Sequence, residues 1–178
     1  PARLAQPRHI LLTGATGFVG VHLLSELLSR NDADIHCLVR DVSNELGRAR
    51  LRQVVEHYQV PLSERDWERV HVHAGDIAAP WFGMAEEDYR QLSASVDVIY
   101  HSASAVNFIE PYSQMKRDNV EGVRQVIAFA GHLRVKALML FSTLSIHSWG
   151  NRLTGKKVML ETDDIDQNLP AVISDIGY

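Results

Sequence analysis

The chain has 178 residues, 46% of them hydrophobic and 22% charged, which is one domain's worth of length with the composition of an ordinary folded protein. Its formal net charge of −4 gives no footing for nucleic acid or an anionic membrane. No apolar stretch reaches membrane-spanning length, and no signal peptide precedes the first expected strand.

The chain opens on Pro1-Ala2-Arg3 rather than Met, which suggests a domain cut from a longer polypeptide. A strand is expected over about 9–14, then an amphipathic helix to about Ser29, with Val19, Leu23 and Leu27 on one stripe and Leu24 and Leu28 beside it. Ile35-His36-Cys37-Leu38-Val39 reads as the second strand. Cys37, the only cysteine, falls inside it, so a buried inert thiol and a reducing cytoplasm are expected, with no disulfide framework. Residues 43–58 read as helix and carry Arg48, Arg50 and Arg52. The third strand is expected at 70–74, a turn at 79–83, a short helix near 85–94 and a fourth strand at 97–100. A small-residue loop, His101-Ser102-Ala103-Ser104-Ala105, follows. A long helix over 112–132, with Val123, Ile127 and Ala130 inward, leads to a fifth strand at 137–141. Alternating strands and helices predict an α/β fold: a Rossmann-type, doubly wound parallel sheet with helices on both faces. The fifth strand would leave an apolar edge, so the sheet reads as truncated before its last strands.

The densest chemical signal is Thr13-Gly14-Ala15-Thr16-Gly17-Phe18-Val19-Gly20, between the first strand and its helix. Glycines there serve a sharp turn (Gly14), approach of backbone to a pyrophosphate (Gly17) and close packing of helix on strand (Gly20). The first-turn N–H groups then face an anion. The spacing is G-x-x-G-x-x-G rather than the commoner G-x-G-x-x-G, so the strand-turn-helix context carries the assignment. At the end of the second strand an acid would hold the ribose 2′-OH of NAD, and an arginine the 2′-phosphate of NADP. Here Arg40 comes first and Asp41 second, which favours NADP(H). Arg48 or Arg50 offers a second phosphate contact, or a solvated helix face. Asp76 either accepts a hydrogen bond from adenine or caps its own turn. Ser102, Ala103 and Ser104 leave room for ribose and nicotinamide, or form a packing turn. Ser142-Thr143 ends the fifth strand, where a hydroxyl suits a carbonyl in the cleft, and Tyr178 is a proton donor if a cation lowers its pKa from about 10.

Together these segments resemble the extended short-chain dehydrogenase/reductases. The segments Ile10–Gly20, Cys37–Arg40, Gly75-Asp76-Ile77, Val98–Ala103, Val106-Asn107, Pro111-Tyr112, Asn119–Gly122 and Phe141–Ile146 resemble, more narrowly, the thioester reductase domains of nonribosomal peptide and polyketide synthetases and of carboxylic acid reductases. That resemblance implies NADPH-dependent reduction of a thioester on a phosphopantetheine arm, releasing an aldehyde that some members reduce further to the alcohol. It implies an acyl or peptidyl carrier protein as partner within a larger multidomain polypeptide. It brings Thr13, Thr16, Phe18, Val19, Ile77 and Asn119 into the cofactor set. It makes Thr143 the catalytic hydroxyl, Tyr178 the catalytic tyrosine, and Asn119 the residue that orders the active-site helix.

The tyrosine's partner lysine, due four residues later in the Gly-Tyr-x-x-x-Lys pattern, lies beyond Tyr178. The last strands and the substrate domain do too, so the fragment by itself is expected to be inactive. Fatty acyl-CoA reductases and sugar-nucleotide epimerases or dehydratases share the superfamily, and a dinucleotide-sensing module without catalysis is the alternative of another class. His71 and His73 alternate on one strand without a ligand-spaced partner in sequence, and no metal is expected.

Overall fold

The computed structural model describes residues 6–143 and the positions Val158, Leu160 and Thr162. The chain divides after Phe141, and every element below precedes that division.

Five parallel strands, β1 (His9–Thr13), β2 (Asp34–Val39), β3 (Val70–Ala74), β4 (Val98–His101) and β5 (Ala137–Leu140), lie in the order β3-β2-β1-β4-β5. This is the doubly wound Rossmann arrangement expected from the alternation. β1 is central, with Ile10 opposite Ile35 on one side and Val98 on the other. Successive side chains of a strand point to opposite faces, so β1 feeds two cores. Ile10 and Leu12 join Val21, Leu24, Leu27 and Leu28 of α1 (Phe18–Arg30) and Leu51 and Val55 of α2 (Asn44–His57). Leu11 joins Tyr89 and Leu92 of α4 (Glu86–Ser95) and Val126 and Phe129 of α6 (Gly122–Gly131). Cys37 is fully buried in the first core, and burial pushes its thiol up to about 12, which makes it the inert thiol expected.

Two local expectations are corrected, and two features add detail that the sequence reading did not carry. The long helix is interrupted: α5 (Tyr112–Lys116) passes through a π turn, Arg117–Glu121, into α6. The wider turn resets the helical phase, so Val126 and Phe129 face inward while Ile127 is 56% exposed. In α1 the expected Leu24, Leu27 and Leu28 are buried together with Val21, whereas Val19 is 52% exposed at the loop. An unforeseen short helix, α3 (Glu64–Glu68), is started by a reciprocal cap between Ser63 and Asp66. The turn at 80–83 places Trp81 and Phe82 in left-handed backbone (φ 52° and 58°). That strain, about 1–3 kcal/mol for such residues, is offset where Phe82 buries its ring against Tyr89 and Phe129 at 5.4 and 5.2 Å.

Candidate functional site: a cleft at the carboxyl ends of the strands

The ends of β1 and β4 are stitched together beneath the glycine loop. Ser102 donates to the Thr13 carbonyl from both its N–H (3.2 Å) and its hydroxyl (2.9 Å). Thr13 Oγ1 lies 2.6 Å from His101 Nδ1, and burial pulls this imidazole below its ordinary pKa. Gly14 has φ +78°, and a Cβ there would stand 2.5 Å from the Ala103 nitrogen, so the loop and the β4 end touch backbone to backbone. The turn closes through Gly17 N–H to Gly14 C=O (2.9 Å), and no side chain caps the start of α1. Its first-turn donors are therefore left for an anion.

A cleft of about 370 Å³ opens above this loop. Of the residues expected at the cofactor site, Thr13, Gly14, Thr16, Gly17, Arg40, Arg50, Ile77, Ser102, Ala103 and Ser104 line it. Leu38, Ala105 and Asp118 line it too, and sequence reasoning missed them. Leu38 and Asp118 each sit within two residues of a motif position (Arg40, Asn119), a weak signal that was available.

Other expected residues stand around the cleft rather than in its wall. Phe18 and Val19 project from the first turn of α1, 63% and 52% exposed. Gly20 is buried under the loop, where a Cβ would meet the Gly14 oxygen at 1.9 Å. Asn119, in the π turn, holds the β4 loop from behind by accepting from Ala105 N–H (2.8 Å) and donating to Ala105 C=O (2.9 Å). Asp76 caps its own turn through Ala78 N–H (2.9 Å) and pairs with Arg117. Burial pushes its carboxyl up, but the Arg117 guanidinium and the Ala78 N–H outweigh that and hold it below the usual value. Thr143 lies beyond the division after Phe141, and Tyr178 lies outside the described residues.

The arginines of α2 separate by role. Arg50 reaches the cleft and donates to the Arg40 carbonyl (2.8 Å). Arg48 instead donates to the Val70 and Trp67 carbonyls, at 2.6 and 2.8 Å, and Arg52 lies over the Trp67 ring at 4.3 Å. Arg40 Nη2 donates to Asp118 Oδ2 (2.7 Å), across the cleft from β2 to the π turn.

His71 and His73 have neighbours that spacing hid. His9 Nδ1, His36 and His73 form a row with N···N distances of 3.2 and 2.9 Å, and His71 Nε2 lies 3.1 Å from Asp34. Among the described residues no three ligating side chains are placed to hold a metal ion, and no helix is long and apolar enough to cross a membrane.

A parallel Rossmann sheet with a glycine turn at its central strand defines the class of dinucleotide-binding proteins. Comparison with known proteins narrows the class. The NAD-binding family described as Male sterility protein matches residues 12–175. One subunit of the linear gramicidin synthase of Brevibacillus parabrevis is 37% identical over 173 residues, which is 94% of this chain and 3% of that protein. The terminal R domain of the myxalamid PKS-NRPS pathway superposes with a TM-score of 0.76 at 42% identity, over 79% of this chain and 36% of that one. A thiolation-reductase di-domain from an archaeal nonribosomal peptide synthetase gives 0.68 at 27% identity, over 84% of this chain and 31% of that one. The chain thus spans about a third of the solved domains it resembles. It belongs to the NAD-binding Male sterility family, among the R domains of peptide and polyketide synthetases in the extended short-chain dehydrogenase/reductase superfamily, and its cofactor is a nicotinamide dinucleotide.

Proposed function

We propose that the chain is the cofactor-binding portion of an NADPH-dependent thioester reductase. The observation that carries the cofactor reading is the placement of Arg40, just after β2, and Arg50, on α2, at the glycine-loop cleft, where the adenosine ribose of a dinucleotide lies in this fold. A planar guanidinium there matches a 2′-phosphate with paired, charge-assisted hydrogen bonds. The rest of the cleft fits a dinucleotide as well. Gly14 brings backbone against the β4 loop, the start of α1 is uncapped, and Ser102, Ala103 and Ser104 leave space beside them.

On this reading Thr13, Gly14, Thr16 and Gly17, with the Phe18, Val19 and Gly20 backbone, cradle the pyrophosphate. Asp76 and Ile77 flank the adenine, and Ser102 to Ser104 face the ribose and nicotinamide. Asn119 fixes that loop through both polar groups of Ala105. When bound, NADPH supplies the hydride that turns the thioester carbonyl into a hemithioacetal, which collapses to an aldehyde and a free thiol. Thr143 hydrogen-bonds the carbonyl oxygen and Tyr178 gives it a proton. The substrate half of the proposal rests on relatives that include a peptide synthase subunit and a solved thiolation-reductase di-domain of a nonribosomal peptide synthetase. A phosphopantetheine-carrier thioester, presented within a multidomain polypeptide in the reducing cytoplasm, is the corresponding partner.

Titration with NADPH and NADH tests the cofactor reading. Arg40→Ala should weaken NADPH by about 10- to 100-fold, the worth of charge-assisted hydrogen bonds, and leave NADH nearly unchanged; equal losses for both would overturn it. For the substrate, NADPH consumption by the full reductase domain should be faster with a carrier-protein thioester than with the matching CoA ester, and equal rates would count against a carrier-dedicated enzyme.

A further inference from the structure

Arg40 is not waiting free at the cleft. Its Nη2 donates to Asp118 Oδ2 at 2.7 Å, the other Asp118 oxygen accepts from Arg117 Nη1 at 2.7 Å, and Arg117 in turn pairs with Asp76. Four charges of alternating sign therefore run from the end of β2 to the π turn and back to the end of β3. Asp118 lines the same cleft as Arg40 and Arg50. Its side chain is 18% exposed, against 60% for Arg40, so the carboxylate is the fixed member and the guanidinium the one able to swing. The Arg40 backbone is held separately, by Arg50 on its carbonyl, so the side chain can move without dragging the strand end.

We propose that Asp118 is a specificity-determining residue for the cofactor: it competes with the 2′-phosphate of NADPH for the Arg40 guanidinium and so sets how strongly NADPH is preferred over NADH. The proposal rests on the reading of the cleft as an NADPH site. A phosphate carrying close to two negative charges outbids one carboxylate, yet binding it requires the Arg40–Asp118 pair to open and leaves a carboxylate nearby. NADH, with a neutral 2′-hydroxyl, has no need to open the pair. The carboxylate therefore lowers NADPH affinity selectively.

Asp118→Asn keeps the side chain's size and removes its charge, while Arg117 retains Asp76. Dissociation constants for NADPH, NADH and 2′,5′-ADP should be measured on the protein and on Asp118→Asn, Arg40→Ala and the double variant, with thermal melting to verify folding. Asp118→Asn should tighten NADPH and 2′,5′-ADP by about three- to tenfold, the scale of one exposed ion pair plus relief of a nearby like charge, and change NADH by less than about twofold. The gain should shrink in the Arg40→Ala background to the part due to like-charge relief, because the ion-pair part of the coupling runs through that guanidinium. It should also shrink at high salt. Weaker NADPH binding in Asp118→Asn would show that Asp118 positions Arg40 for the phosphate, and an equal gain for NADH would show an effect on the whole dinucleotide; either overturns the proposal. Failure of the parent reading looks different: the unsubstituted protein would bind neither dinucleotide, or Arg40→Ala would lose nothing for NADPH.

Discussion

An added Cβ at Gly20 would stand 1.9 Å from the Gly14 carbonyl oxygen and 2.5 Å from its carbon, both backbone atoms fixed by the turn. At Gly17 the nearest atom is the same oxygen at 3.3 Å, which a shift of a few tenths of an ångström relieves. The two glycines therefore serve different ends, one the packing of helix on strand and the other the cleft, whose wall includes Gly17. Gly20→Ala should cost about 2–4 kcal/mol of stability through backbone overpacking, read as a lowered urea midpoint. Gly17→Ala should stay within about 1 kcal/mol of the parent yet weaken dinucleotide binding about tenfold or more, because its methyl stands where a phosphate would approach. A Gly17→Ala variant that binds normally would remove the glycine loop from the cofactor site.

At the scale of elements, the unusual feature is the imidazole row across β1, β2 and β3. His36 on the middle strand lies between His9 and His73, with its ring 5.1 Å from that of His71. Each N···N contact needs one donor and one acceptor, an arrangement open to neutral imidazoles and denied to a row of imidazolium ions, which only donate. Burial is the largest influence on His36, the neighbouring histidines add to it, and its pKa falls to about 3; His73 is lowered for similar reasons. A histidine whose folded pKa lies below its unfolded value of about 6.5 leaves the unfolded chain binding more protons between the two. Stability is therefore full above pH 6.5 and is lost as pH falls toward 3. His36 alone should remove about 2 kcal/mol by pH 5. Urea midpoints at pH 7 and pH 5 measure the loss, and His36→Leu should flatten it; an unchanged slope in that variant would place the acid sensitivity elsewhere.

Across the whole molecule, what could be read in advance was what is encoded locally. The strands are short runs rich in apolar residues, β3 alternating Val70 and Val72 with His71 and His73, and each crossover helix has its own stripe, so the strand order follows from connection rules. The glycine turn and the small-residue β4 loop were legible for the same reason. What was hidden is encoded between distant segments: Arg40 meets Asp118 across 78 positions, and His36 meets His73 across 37. The π turn escaped because one extra residue in a turn leaves no compositional mark, and it moved the buried stripe of α6 from Ile127 to Val126 and Phe129. The Ser63–Asp66 cap was written in the sequence but precedes a helix too short to show a period. Sequence placed most of the cleft wall, but Thr143 and Tyr178 depend on chain outside the described sheet.

The two cores lie on opposite faces of that one sheet and meet only through it, since Leu11 serves one and its neighbours Ile10 and Leu12 the other. Shared strands should make them unfold together. Phe129→Ala, in the α4/α6 layer, should cost about 3–5 kcal/mol, and Leu24→Ala, in the α1/α2 layer, about 2–4 kcal/mol. Cys37 reports on the first layer alone: it is the single cysteine, fully buried, and burial pushes its thiol up to about 12, so it should be protected from a thiol reagent while folded. In urea, Phe129→Ala should expose Cys37 to a thiol reagent at the same lowered midpoint at which far-UV circular dichroism is lost, although the substitution lies on the opposite face. Protection of Cys37 persisting beyond that midpoint would mean that the α1/α2 layer holds β1 and β2 by itself, and that the sheet does not couple its two faces.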